Sequence, residues 1–145
     1  MNNITSAKMI TAALLLASAS VMSFDVLAGG HETACMANVQ GKIAWDPGSV
    51  DPKAKEWKQE NLETLCKGVT NSNAPGQCFE KVMAGNVRWG ESDKWEWKNA
   101  ISLCAGADDA EKRITCFKGR IDSGEKWDTA IFQCQANNSI GNTVK

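Results

Sequence analysis

The sequence predicts an all-α protein in which three tandem disulfide-sealed α-helical hairpins, about six helices in total, pack as a small repeat domain. Six cysteines form pairs that enclose 30, 25 and 17 residues, with 11 residues between one pair and the next. Equivalent residues recur 38 positions apart, as in Phe79 and Phe117. Apolar residues within each unit also follow a helical period. The cysteines are Cys35, Cys66, Cys78, Cys104, Cys116 and Cys134.

Residues 1–28 have the composition of a secretory signal peptide. One lysine precedes an apolar run rich in small residues, and Val26-Leu27-Ala28 suits signal peptidase. We expect cleavage after Ala28, which leaves 117 residues without a membrane span in the periplasm or secreted. An uncleaved membrane anchor is the alternative. The predicted mature chain comprises a flexible segment (29–34), the repeat domain (35–134) and a loose C-terminal tail (135–145).

The first unit, 35–66, begins with a helix and turns at Asp46-Pro47-Gly48. A longer second helix is expected to begin at Asp51-Pro52 and to end near Cys66, because proline is favourable just inside a helix start. The opening helix carries an apolar stripe of Cys35, Val39 and Ile43.

The second and third units, 78–104 and 116–134, are more alike. In the second, a helical stripe is expected to run to Trp89 before a break at Gly90-Glu91-Ser92. A second helix with apolar residues at i, i+3, i+4 and i+7 follows in each unit. These positions are Trp97, Ala100, Ile101 and Cys104, and then Trp127, Ala130, Ile131 and Cys134.

Six cysteines allow 15 disulfide connectivities. We favour 35–66, 78–104 and 116–134, because each repeat is then closed by its own bond. The pairing of 66 with 78, 104 with 116 and 35 with 134 is the alternative. Since a unit of about 40 residues is near the lower limit for independent folding, each bond is expected to contribute about 3 kcal/mol of stability.

Composition argues against several classes of function. The formal net charge is −1 and the charges are mixed along the chain, so nucleic acid is not an expected partner. Paired CxxC, CxxCH and zinc-finger spacings do not occur, and neither do the common hydrolase and phosphate-binding motifs. The sequence therefore predicts a protein that is not an enzyme and requires no cofactor.

The predicted mature terminus, Gly29-Gly30-His31, resembles the amino-terminal motif that binds Cu(II) or Ni(II). A free amine, two amide nitrogens and an imidazole supply the four planar nitrogens that Cu(II) prefers. This metal site depends on cleavage between Ala28 and Gly29. The alternative interpretation is a solvated histidine that occupies the third position by chance.

The chain has six tryptophans and no tyrosine. Trp45, Trp89 and Trp127 follow the first cysteine of their units by ten or eleven residues, a recurrence that indicates packing between helices. Trp57 and Trp95 each lie nine residues before a closing cysteine. We expect Trp95, and with it Trp57, to form an exposed surface for a sugar ring or a protein partner. A lid over the hairpin turn is the alternative for Trp95.

These features predict an exported, non-enzymatic binding or interaction protein whose partner is an unidentified extracytoplasmic protein or glycan. The alternative function is extracytoplasmic binding of Cu(II) or Ni(II) through Gly29, Gly30 and His31. An inhibitor or toxin on a disulfide-stabilised scaffold is a third hypothesis.

Overall fold

The computed structural model describes the backbone of residues 25–140 and the side chains of residues 29–135. Most of the predicted signal peptide lies outside this range. The described chain is all-α, with six helices and no strand. The helices are α1 (Asp25–Val39), α2 (Gln59–Cys66), α3 (Ala74–Lys81), α4 (Trp97–Cys104), α5 (Ala110–Asp122) and α6 (Trp127–Ile140).

The helices form three hairpins, α1/α2, α3/α4 and α5/α6, stacked side by side. Helix α3 contacts both α1 and α5, and helix α4 contacts both α2 and α6. The first helices of the hairpins therefore form one layer and the second helices form the other, as in repeat proteins whose units contact their neighbours. Within the described residues, no helix has the length and hydropathy needed to cross a bilayer.

Each hairpin is closed by its own disulfide, which confirms the favoured pairing. The Cα atoms are 5.7 Å apart in Cys35–Cys66, 5.6 Å in Cys78–Cys104 and 5.9 Å in Cys116–Cys134. Five of the six cysteines belong to the hydrophobic core, which continues through all three hairpins, and Cys116 is partly buried against it. Its largest fully buried side chains include Phe79, Phe117, Leu65 and Leu103.

The start of α3 packs closely against the end of α1 and the residues that follow it. A Cβ atom placed on Gly76 would lie 2.7 Å from Cδ1 of Ile43 and 3.3 Å from Cγ2 of Val39. Glycine at this position therefore allows the two helices to approach closely.

The predicted second helix of the first unit is divided into two parts. A 3₁₀ turn spans Pro52–Lys55, and α2 does not begin until Gln59. Between them, Glu56 has an extended backbone, with φ −89° and ψ 95°. Because the extended segment turns the side chain of Trp57 into the core, one continuous helix is replaced by two short elements.

The predicted helical stripe up to Trp89 is also wrong at its far end. Helix α3 ends at Lys81 and continues only as a π-type turn, Val82–Asn86. Gly85 in this turn has a φ of 79°, which a right-handed helix does not accommodate. Trp89 therefore lies beyond the helix, in a turn where its backbone N–H donates to Ser92 O at 2.8 Å.

Both ends of the repeat domain are more helical than expected. Residues 29–34, expected to be flexible, lie within α1. Residues 135–140, expected to belong to a loose tail, lie within α6, and residues 141–145 are outside the described range.

Candidate functional site

Trp57 joins the first hairpin to the second. Its indole N–H donates to Ile43 O at 2.8 Å, and its ring packs edge-on against Phe79 with a centroid distance of 4.8 Å. Phe79 directly follows the first cysteine of the next repeat. The side chain is only 6% exposed, so the expectation of an exposed Trp57 is wrong. The extended backbone before α2 and this hydrogen bond together hold the ring inside.

Trp95 occupies the equivalent place at the second junction. Its indole N–H donates to Val87 O at 2.7 Å, and its ring lies 5.2 Å from that of Phe117. Trp95 is half-buried, so it too is less exposed than expected, although its contact with a ligand or partner stays a prediction. In the third repeat the same sequence position is Glu125, which pairs with Arg120 at 2.7 Å.

A second set of tryptophans packs in pairs across the same junctions. Trp45 and Trp97 have ring centroids 6.4 Å apart at an interplanar angle of 63°. Trp89 and Trp127 repeat this arrangement at 6.1 Å and 63°. Trp127 is thus the counterpart of Trp97, because each begins the second helix of its hairpin. Trp45 and Trp89 instead precede that helix in their own hairpins. The prediction that Trp45, Trp89 and Trp127 serve in packing is confirmed, whereas the expectation that they share one structural position is wrong.

The Trp45–Trp97 pair borders a cavity of about 340 Å³, which we call the tryptophan groove. The groove lies where the 3₁₀ turn and the start of α2 face the start of α4. Its lining is mainly apolar, with charged and amide groups among the indoles. The lining residues are Trp45, Lys53, Glu56, Trp57, Lys58, Asn61 and Trp97.

A second hollow of about 400 Å³ shares Trp45 and Trp97 with the groove, so the tryptophan pair forms their common wall. Lys98 lies over the face of Trp97, with its Nζ atom 5.4 Å from the ring centroid. This geometry is that of a cation–π contact. The second hollow is lined by Trp45, Asp46, Met83, Trp95, Glu96, Trp97 and Lys98.

Several polar groups of the groove have no partner within the described residues. The ammonium groups of Lys53 and Lys58 and the carboxylate of Glu56 form no ion pair there. The amide of Asn61 and the indole N–H of Trp97 form no hydrogen bond there either, whereas Trp45 donates to Lys53 O at 3.4 Å. The groove therefore offers charged donors, an amide and an indole N–H beside aromatic surface.

The predicted metal-binding residues do not belong to the lining of the groove. Gly29, Gly30 and His31 are exposed near the start of α1, and Gly29 O accepts a hydrogen bond from the Thr33 hydroxyl at 2.8 Å. Within the described range, no group of three or more His, Cys, Asp or Glu side chains could hold a metal ion.

Arg113 is the one buried charged side chain of the described residues, at 3% exposed, and it has a structural role. It donates to Leu103 O at 2.7 Å and to Ala105 O at 3.1 Å, which satisfies carbonyls at the end of α4. Burial lowers the pKa of Arg113, and the nearby Asp108 carboxylate opposes this effect. Asp108 also accepts from the backbone N–H of Thr70 at 2.7 Å, which ties the segment between α4 and α5 to the segment between α2 and α3.

Sequence reasoning did not identify the groove. It assigned Trp45 and Trp97 to packing and did not consider Lys53, Lys58 or Asn61. One signal was available: the first unit encloses 30 residues between its cysteines and the second only 25.

Comparisons with protein-family models, curated proteins and solved structures find no match to this chain.

Proposed function

We propose that this protein is an exported, non-enzymatic binding protein whose ligand occupies the tryptophan groove. The observation that carries this proposal is the cavity of about 340 Å³ with three indoles and several unpaired polar groups in its lining. Binding pockets are typically about 300–1,000 Å³, mainly apolar, with a few polar groups that orient the ligand.

Export is supported by the cysteines and by residues 1–28. All six cysteines are paired, and disulfides form and persist in oxidising compartments outside the cytoplasm. The signal-peptide composition of the leader fits the same location. A periplasmic or secreted protein would meet its partner, an extracytoplasmic glycan or protein, in this environment.

A binding role fits the chemistry of the groove better than catalysis does. Glu56 is the only carboxylate in its lining, and no histidine, serine or cysteine accompanies it. Glycoside hydrolysis typically needs a pair of carboxylates on opposite sides of the bond. Acyl transfer needs an activated nucleophile beside a base. The groove's lysines, amide and indoles instead provide the contacts that hold a ligand.

The experiment is a titration of the oxidised protein with neutral, acidic and basic oligosaccharides, acidic peptides and small aromatic compounds. Tryptophan fluorescence reports binding, and mass spectrometry of each mixture reports any product. We expect at least one compound to bind without being converted. Trp97→Ala should abolish this binding. Trp127→Ala is the matched control, because it removes the equivalent ring at the other junction, outside the groove.

Circular dichroism of both variants checks that their helices are retained. Turnover of a compound that is lost on a single substitution would refute a non-enzymatic role. The absence of any binding that depends on Trp97 would refute the groove as the ligand site.

Binding of Cu(II) or Ni(II) at the mature terminus is the second candidate, and one observation favours it. Because residues 25–28 lie within α1, cleavage after Ala28 would remove the helical turn that precedes Gly29. The amides of Gly30 and His31 would then lose their i−4 acceptors and become available at a helix terminus. These are the backbone nitrogens that the motif requires.

Intact-mass measurement of the secreted protein tests this second candidate first, because a start at any residue other than Gly29 excludes it. With the correct start, His31→Ala should abolish the visible Cu(II) d–d band without changing helicity. A band that persists in the variant would contradict the assignment.

A further inference from the structure

We infer that the tryptophan groove takes a short, linear oligosaccharide, with a uronic acid in the groove and a neutral sugar in the second hollow. This inference rests on the proposed function, since it names the class of ligand that the same site would bind. Three properties of the described residues support it: the exposed parts of the indoles, the two hollows with a common wall, and the different charges of their linings.

The first property favours a sugar. One face of a pyranose ring presents C–H groups, which pack against the electron-rich face of an indole. Trp45 and Trp97 remain half-buried at the border of the groove, so part of each ring is accessible. The unpaired amide of Asn61 provides two donors and an acceptor for sugar hydroxyls. Aromatic surface and hydroxyl-binding groups thus occur together.

The second property favours a linear chain of sugars. The groove and the second hollow both include Trp45 and Trp97, and their volumes are about 340 Å³ and 400 Å³. A ligand that crosses the tryptophan pair would therefore place consecutive units on either side of it. A single sugar would leave one of the two hollows empty.

The third property places the acidic unit. The groove contains Lys53 and Lys58 but only one acid, Glu56, so the net charge of its lining is positive. The second hollow contains Asp46 and Glu96 with one lysine, so the net charge of its lining is negative. A carboxylate would gain charge-assisted hydrogen bonds in the groove and would be repelled in the second hollow.

A peptide is the competing ligand, and the described residues fit it less well. Extended peptides are commonly bound as an added strand at a sheet edge, and helical peptides in a long apolar groove. The described chain has no strand, and the lining of the groove includes three charged residues besides its indoles. An acidic peptide is therefore included in the test as a direct competitor.

The test uses isothermal titration calorimetry of the oxidised protein with three probes. These are aldotriouronic acid (a uronic acid joined to xylobiose), xylotriose as its neutral counterpart, and an acetylated tripeptide with one aspartate. At low salt we expect the acidic sugar to bind about five- to tenfold more tightly than xylotriose, as two exposed charge contacts allow. The preference should shrink at about 200 mM salt, because exposed charges are screened.

Lys53→Gln combined with Lys58→Gln should remove the preference, so that this variant binds the acidic sugar no more tightly than it binds xylotriose. Both lysines are exposed, so the double variant should fold normally. Lys118→Gln combined with Lys126→Gln is the matched control, since it removes the same charge from exposed positions outside the groove. This control variant should keep the full preference.

The outcomes separate this inference from the proposed function. Equal binding of both sugars, or a preference that survives loss of Lys53 and Lys58, would overturn the acidic assignment and leave a binding role intact. Tighter binding of the peptide would overturn the sugar assignment. If none of the probes binds but another compound binds through Trp97, the ligand class is wrong. If nothing binds through Trp97, the proposed function fails as well.

Discussion

The two junctions between repeats use the same contacts but do not have the same surroundings. At each junction an indole N–H donates to a backbone carbonyl and its ring packs on the phenylalanine of the next repeat. Each junction also has a pair of indoles whose ring planes meet at 63°. Only at the first junction does the indole pair border the tryptophan groove, which Lys53 and Lys58 also line.

The difference arises from the length of the first unit. It encloses five more residues between its cysteines than the second unit, and the 3₁₀ turn Pro52–Lys55 lies in this longer segment. The shared contacts hold the repeats together, whereas the residues in and after the 3₁₀ turn line the groove. The contacts that the repeats need for packing are therefore different from the residues that a ligand in the groove would contact.

The third repeat differs from the first two at the position of the junction tryptophan. Where the first two repeats have Trp57 and Trp95, it has Glu125, which pairs with Arg120 near the surface. The described residues contain no further repeat that could supply a phenylalanine, so a tryptophan here would have no partner of the same kind among them. Terminal repeats typically replace such contacts with polar groups.

The largest effect is expected for Trp57→Ala, which removes the buried ring of the first junction. The loss of packing against Phe79 should lower the free energy of unfolding by about 3–5 kcal/mol. Urea unfolding followed by far-ultraviolet circular dichroism measures this change. Trp57→Phe is the control: it keeps most of the ring and removes the donor to Ile43 O, and should cost about 1–2 kcal/mol. Equal losses in the two variants would show that the hydrogen bond matters more than packing.

Removal of the central disulfide by Cys78→Ser with Cys104→Ser is expected to cost about 3 kcal/mol. This bond closes the repeat that contacts both neighbours, so its loss weakens both junctions. The comparison is Cys116→Ser with Cys134→Ser, which opens a shorter loop in a repeat with one neighbour. Thermal unfolding of both variants checks this order. A larger loss of stability in the Cys116→Ser, Cys134→Ser variant would show that the central disulfide does not stabilise the stack more than the third one does.

The repeat, the hairpins and the disulfide pairing could be predicted because each depends on a pattern that recurs along the chain. The break before α2 could not, since it depends on Trp57 reaching a carbonyl 14 residues earlier. The burial of Trp57 and Trp95 was missed for the same reason: their partners, Phe79 and Phe117, belong to the next repeat. The groove was missed because its residues come from two repeats and share no sequence spacing.

Trp95→Ala tests whether the second junction has the same construction with a smaller contribution. Trp95 is half-buried, so less apolar surface is lost than at Trp57, and we expect a decrease of about 2 kcal/mol in the free energy of unfolding. The same urea titration measures it. Trp89→Phe provides a control at this junction, because it retains an aromatic ring against Trp127. A loss equal to that of Trp57→Ala would mean that exposure does not distinguish the two junctions.

Glu125→Ala should have the smallest effect, although it lies at the same repeat position as Trp57 and Trp95. Its carboxylate contributes one partly exposed ion pair with Arg120, and such pairs contribute less than about 1 kcal/mol. The other carboxylate oxygen is buried without a hydrogen-bond partner, which reduces the benefit further. Chemical unfolding at low and high salt measures the change, and high salt should nearly abolish it. A loss of several kcal/mol would show that this position supports the stack in the third repeat as it does in the first two.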